Sequence, residues 1–87
     1  MKVKVTDKVF FVELRDTKNV DYKILILGAS DFSGTLNFIV NTNDFDLNFD
    51  ERDLVEIEYN FQIGNRKVGN DYLEVVNNRR LTAIRKA

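Results

Sequence analysis

An all-β fold is what this sequence predicts, and three observations carry the prediction. Val, Ile, Thr, Phe and Tyr supply 31 of the 87 residues, while Ala, the best helix former, occurs three times. Asn occurs ten times and Asp nine, and both favour turns over helix interiors. Between Leu54 and Ile63 apolar side chains alternate with Glu, Asn and Gln over ten positions, as a strand with one wet face requires.

The first strand is expected from about Val3 to Arg15. Val3 and Val5 occupy odd positions, whereas Phe10, Val12 and Leu14 occupy even ones. A shift of one residue turns a strand's buried face outward, so a bulge or sharp bend is expected near Lys8-Val9, with Phe10 and Phe11 both buried by it. Asp16–Asp21 is a polar connection. Tyr22–Leu27 is apolar on both faces and reads as a central strand. Gly28–Gly34 is a turn, with Phe32 at its tip as the best candidate for an exposed aromatic. In Thr35–Asn41, Leu36, Phe38 and Val40 face one way, Asn37 and Asn41 the other, and Ile39 is the exception.

Asn43–Asp53 reads two ways. Phe45, Leu47 and Phe49 alternate with Asp44, Asp46, Asn48 and Asp50, which is strand spacing, but a row of acidic side chains makes a poor paired strand. A short helix or an extended crossover that drops three apolar side chains onto one end of a barrel is expected. Leu54–Ile63 is the clearest strand, Gly64–Asp71 a loop with hairpin chemistry, and the last strand starts at Tyr72 and resumes through Arg79–Arg85 after a bulge at Asn77-Asn78. The expected core is Val12, Leu14, Ile24, Ile26, Leu36, Phe38, Val55, Ile57, Tyr59, Phe61, Leu73 and Val75. No repeat or linker interrupts the chain, so residues 1–87 are expected to form one β-barrel domain.

Composition narrows the function. A chain of 10.2 kDa that is 44% hydrophobic is too apolar to be disordered and has room for one core. Without Cys there are no disulfides, zinc knuckles or thiol catalysis; without His the commonest general base and metal ligand are missing. The longest apolar run, Ile24–Ala29 with Gly28 counted, is too short to span a bilayer as a helix. Met1-Lys2-Val3-Lys4 runs into alternation instead of an apolar block, so no signal peptide and a cytoplasmic location are expected. Ser30 and Ser33 lack a His partner, and the acidic side chains of 44–50 lie on a solvated face, so catalysis is not expected. Asp44-x-Asp46-x-Asn48-x-Asp50 has calcium-loop spacing, but Phe49 stands where the turn demands Gly and Val55 where a bidentate Glu belongs. No metal or cofactor is expected.

The net charge of −1 hides a segregation. Residues 43–58 carry seven acids and one base, and residues 64–87 carry six bases and two acids. A local basic patch can act while an acidic segment lies elsewhere.

The order of long bent strand, central strand, turn, strand, crossover and hairpin resembles the OB-fold. The echoes are Asp31-Phe32-Ser33-Gly34 between the second and third strands, Asp53-Leu54-Val55-Glu56-Ile57 opening the fourth, and Tyr72-Leu73-Glu74-Val75-Val76 after a basic glycine loop. They look like the small OB domains of single-stranded DNA-binding and replication-type proteins; an SH3-like barrel is the alternative. The resemblance implies a five-stranded, partly open Greek-key barrel with ligands across strands two and three and in the loops Asp16–Asp21 and Gly64–Asp71. It implies a non-catalytic module for single-stranded DNA or RNA, with Lys23, Phe32, Asn37, Arg66, Lys67, Tyr72, Arg79 and Arg80 as its surface. Arg66 and Lys67 would contact phosphate beside a base stacked on Tyr72. Where tight binders in the family show aromatic residues on the outer sheet face, Lys23, Asn37 and Asn41 dominate here. Adjacent strand residues point to opposite faces, so only one of Arg79 and Arg80 can join the surface unless the bulge intervenes. The competing expectation is a protein-interaction or assembly module that uses the acidic 43–58 segment or an exposed strand edge.

Overall fold

A computed structural model describes residues 1–29, 31 and 33–87. It contains five strands, β1 (Lys2–Asp16), β2 (Tyr22–Ala29), β3 (Thr35–Asn41), β4 (Leu54–Val68) and β5 (Asp71–Lys86), and no helix among the described residues. They form one antiparallel sheet in the order β3-β2-β1-β4-β5. The sheet curls until its two ends, β3 and β5, come into contact without a hydrogen-bonded ladder between them among the described residues. The result is a nearly closed five-stranded barrel, as composition and alternation predict.

β1 makes the curl possible by serving two neighbours. Its residues Lys2–Phe10 pair with β4, and Val9–Asp16 pair with β2. The register against β2 shifts between Phe11 and Glu13, leaving Val12 as the extra residue of a bulge. This corrects the expected bend at Lys8-Val9. Val3, Val5, Val9 and Phe11 stay on one face, and Asp7 merely interrupts that row with an exposed side chain. The parity changes only after Val12, where Leu14 turns inward. Val12 itself, expected in the core, is 37% exposed, because the bulged residue has no partner across the ladder. Phe11 is buried and Phe10 half-buried.

Every strand contributes to the buried cluster: Val9 and Phe11, Leu25 and Leu27, Phe38 and Val40, Val55 and Ile57, and Leu81. Ile26 is buried as well, on the other side of β2, which confirms that this strand is apolar on both faces. Residues 43–53 form the extended crossover, not a helix. Successive acidic side chains at 44, 46 and 50 gain nothing from a helical turn, while alternation lets Phe45, Leu47 and Phe49 all reach the cluster. Phe49 lies 5.8 Å from the Phe11 ring, and the crossover is stitched to β1 at Phe11: the Phe11 N–H donates to the Asp53 carbonyl and the Arg52 N–H to the Phe11 carbonyl, each at 2.8 Å.

The expected loop at 64–71 is instead the end of a long hairpin. Pairing continues to Val68↔Asp71, leaving Gly69-Asn70 as a two-residue turn. Gly69 has φ +63°, as the first central residue of a type II′ turn requires. Leu73, expected in the core, is 54% exposed because this ribbon extends past the barrel. β5 shifts register twice against β4. One shift is the expected bulge at the two Asn residues: Gln62 pairs with Asn77 and Asn60 with Arg80, so Asn78 and Arg79 together stand opposite Phe61 alone. The other, which sequence reasoning missed, leaves out Thr82, whose hydroxyl donates to the Glu58 carbonyl at 3.1 Å.

Ile57→Ala, at a fully buried centre, is expected to cost about 2–5 kcal/mol in urea unfolding. Val12→Ala and Leu73→Ala should each stay within about 0.5 kcal/mol. A reversed ranking would show that the inner and outer rows have been exchanged.

Candidate functional site

The ladders decide which side chains can act together. On β2 and β3, Tyr22 pairs with Asn41, Ile24 with Ile39 and Ile26 with Asn37, so these six share the outer face. Lys23 pairs with the buried Val40 and belongs to the inner row, at its end, where it binds Asp16 at 3.3 Å. Lys23 is therefore not beside Asn37 and Asn41, contrary to the sequence reading, and its charge is compensated. The outer face carries Asn37 and Asn41 as expected, but beside Tyr22, Ile24, Ile26 and Ile39 in place of Lys23, with Ile39 75% exposed and Tyr22 41%. Counting from Tyr22 rather than Lys23 as the first outward residue would have found this.

The hairpin divides the basic pair. Arg66 pairs with Leu73 and Lys67 with Tyr72, so Arg66 and Lys67 project from opposite faces of a ribbon. They do not form one phosphate loop. Lys67 and Tyr72 do share a face as directly opposed neighbours, with Tyr72 68% exposed. Arg79 is one of the two bulge residues that face Phe61, while Arg80 pairs with Asn60. Phe32 lies outside the described residues. Beside it in sequence, Asp31 accepts from the Ser33 N–H at 2.9 Å, and hydrogen bonds from Ser33 hold the Asp31 carboxyl below the usual carboxylate range.

Two open clefts meet at the seam between β3 and β5. One, of about 580 Å³, lies where β4 and β5 bulge apart, and carries Lys2 and Arg80, the amides of Asn60, Gln62 and Asn78, and the rings of Phe45 and Phe61. The other, of about 330 Å³, runs to Tyr22, Ile39 and Asn41. Asp44, Phe45, Arg80 and Leu81 line both, so the two make one groove with Arg80 at its middle. Its aromatic floor continues inward, since the Phe61 ring lies 6.3 Å from Tyr59 and Tyr59 lies 5.2 Å from Phe38.

Ion pairing separates the cations into two sets. Lys4, Arg15, Lys23, Arg85 and Lys86 each hold a carboxylate. Among the described residues Lys2, Lys8, Lys18, Arg52, Arg66, Lys67, Arg79 and Arg80 hold none, and five of these eight, Lys2, Arg66, Lys67, Arg79 and Arg80, lie on the ribbon or at its base, where Lys2 pairs with Gln62. Among the described residues Asp44 is the one acid lining the groove. Sequence reasoning missed Lys2, Tyr22, Phe45 and Phe61 as groove residues. They come together only because β1, the crossover and the bulged hairpin converge at the seam. No protein-family model, curated protein or solved structure matches this chain.

The bulge that opens the groove depends on Asn78, whose φ of +55° is in the left-handed region. Asn78→Val is expected to destabilise the fold by about 1–2 kcal/mol, whereas Asn78→Gly should be near neutral. Paired thermal melts of the two variants test this, and equal melts would remove the strain argument.

Proposed function

We propose that this chain is an OB-like, non-catalytic module that binds single-stranded nucleic acid in the groove at the β3–β5 seam. The observation that carries the reading is Arg80. It is a cation without a carboxylate partner, set in the middle of a groove that also offers Lys2, three side-chain amides and the rings of Tyr22, Phe45 and Phe61. Single-strand binders combine cations that track the backbone with aromatic faces on which bases stack, and this lining supplies both. The amides suit base edges, which offer donors and acceptors together. The Lys67–Tyr72 pair on the ribbon provides a second cation beside an exposed ring, within reach of a strand leaving the groove. The acidic crossover repels a polyanion, which favours a path on the β4–β5 side.

Anisotropy titration of a labelled single-stranded oligonucleotide tests this. Binding is expected at low salt and should weaken as salt rises. Lys2→Glu and Arg80→Glu should each lower the salt slope by about 0.7, the value of one lost phosphate contact on a single strand. Lys23→Glu should change little, because Asp16 already neutralises Lys23. Absence of binding at low salt, or binding indifferent to both groove variants, would overturn the proposal.

A further inference from the structure

The β4–β5 ribbon extends past the barrel with an unsatisfied edge. β1 reaches only as far as Ile63, whose N–H donates to the Met1 carbonyl at 2.7 Å. Beyond that point, among the described residues, β4 and β5 pair only with each other. A two-stranded hairpin is marginal in water by itself, and a bare edge is a template for another strand. Four large apolar side chains of this ribbon face solvent: Val68 at 50%, Tyr72 at 68%, Leu73 at 54% and Val76 at 58%.

The edge strand reads Tyr72-Leu73-Glu74-Val75-Val76, which is apolar symmetrically about Glu74. Antiparallel pairing of this strand with itself about Glu74 sets Tyr72 against Val76 of the second copy and Leu73 against Val75. Both pairs match on their faces, as a two-fold interface demands. The symmetry selects a second copy over an unrelated strand. Its one unfavourable contact is Glu74 against Glu74. Each carboxylate has Lys67 of its own hairpin on the diagonal of the same face, because Lys67 opposes Tyr72, two residues away. Lys67 has no ion pair among the described residues and is free to compensate the acidic centre.

We propose that two copies of this chain join through the free edge of β5, antiparallel about Glu74, to form a four-stranded sheet across the dimer. The interface lies along the ribbon and rests on neither Lys2 nor Arg80, but it takes up Lys67 and Tyr72, so in the dimer an oligonucleotide is left with the groove residues alone.

Sedimentation velocity of the full chain over a concentration series, without oligonucleotide, tests it. The wild type should show a concentration-dependent dimer. Glu74→Gln removes the like-charge contact and should tighten the dimer about two- to fivefold. Glu74→Lys surrounds the axis with four lysines and should abolish it, while the double change Lys67→Glu with Glu74→Lys restores the alternation of charge and should restore the dimer. Glu74 is exposed, so circular dichroism should be unchanged in all three; Val76→Lys, opposite Tyr72, is a second disrupting probe should Glu74→Lys unfold. A monomer at every concentration in both the wild type and Glu74→Gln would overturn the proposal. So would a dimer indifferent to Glu74→Lys and Val76→Lys.

Discussion

The whole barrel depends on one strand being in two ladders. β1 gives its first half to β4 and its second half to β2, and at Val9, Phe10 and Phe11 it must satisfy both sides at once. Backbone N–H and C=O groups in that stretch cannot be left unpaired, since a buried orphan costs as much as a lost hydrogen bond. The chain meets the demand by handing the Phe11 N–H and carbonyl to Asp53 and Arg52 and by bulging at Val12. The positive φ of Arg52, +71°, belongs to the same junction. The bend this produces brings β3 round towards β5 and creates the seam that the groove follows.

Hydrophobic burial supplies the stability, and charge supplies little of it. The buried cluster takes members from all five strands, and no buried side-chain polar atom lacks a partner among the described residues. The ion pairs lie at the surface with at least one well-exposed partner each, where such contacts contribute at most about 1 kcal/mol. Their effect is on electrostatic pattern. They neutralise Lys4 and Arg15 of β1, Lys23 of β2 and the C-terminal end of β5; of the eight cations without a carboxylate among the described residues, five lie on the ribbon or at its base, and Lys8, Lys18 and Arg52 lie elsewhere. The acidic crossover then gives the barrel a second surface of opposite sign.

Much of the fold was legible because burial has a period. The alternation over 54–63 and 35–41 gave inner and outer rows that the structure reproduces, including Ile39 as the outward exception. The Asn77-Asn78 bulge was legible because Asn tolerates the left-handed backbone. What failed were inferences that need a neighbour. Whether Val12 or Phe11 is inside depends on where β1 changes partner, and the strand's own sequence does not record that. Gly64 and the polar residues after it looked like a loop, yet they pair because Tyr72 to Val76 offers a matching strand. The candidate site suffered accordingly. Arg66 and Lys67 are adjacent in sequence and therefore on opposite faces once the segment is extended, and Lys23 fell on the wrong row by one residue. Arg80 is legible as a surface cation but its surroundings are not, since Lys2, Phe45 and Tyr22 reach it from three different elements.

The crossover has a kinetic meaning. Between Asn43 and Glu51 its backbone hydrogen bonds close within the segment or onto Asn41, so it is held to the barrel mainly by the rings and side chain of Phe45, Leu47 and Phe49. A segment secured chiefly by packing between its backbone anchors at Asn41 and Phe11 can loosen while the strand ladders persist, since local opening is cheapest where few backbone bonds must break. Lifting it would wet Phe11 from above and present an unstructured, acidic stretch to solvent. Amide exchange and first cleavage by a protease should therefore begin there, well below the free energy needed to unfold the sheet.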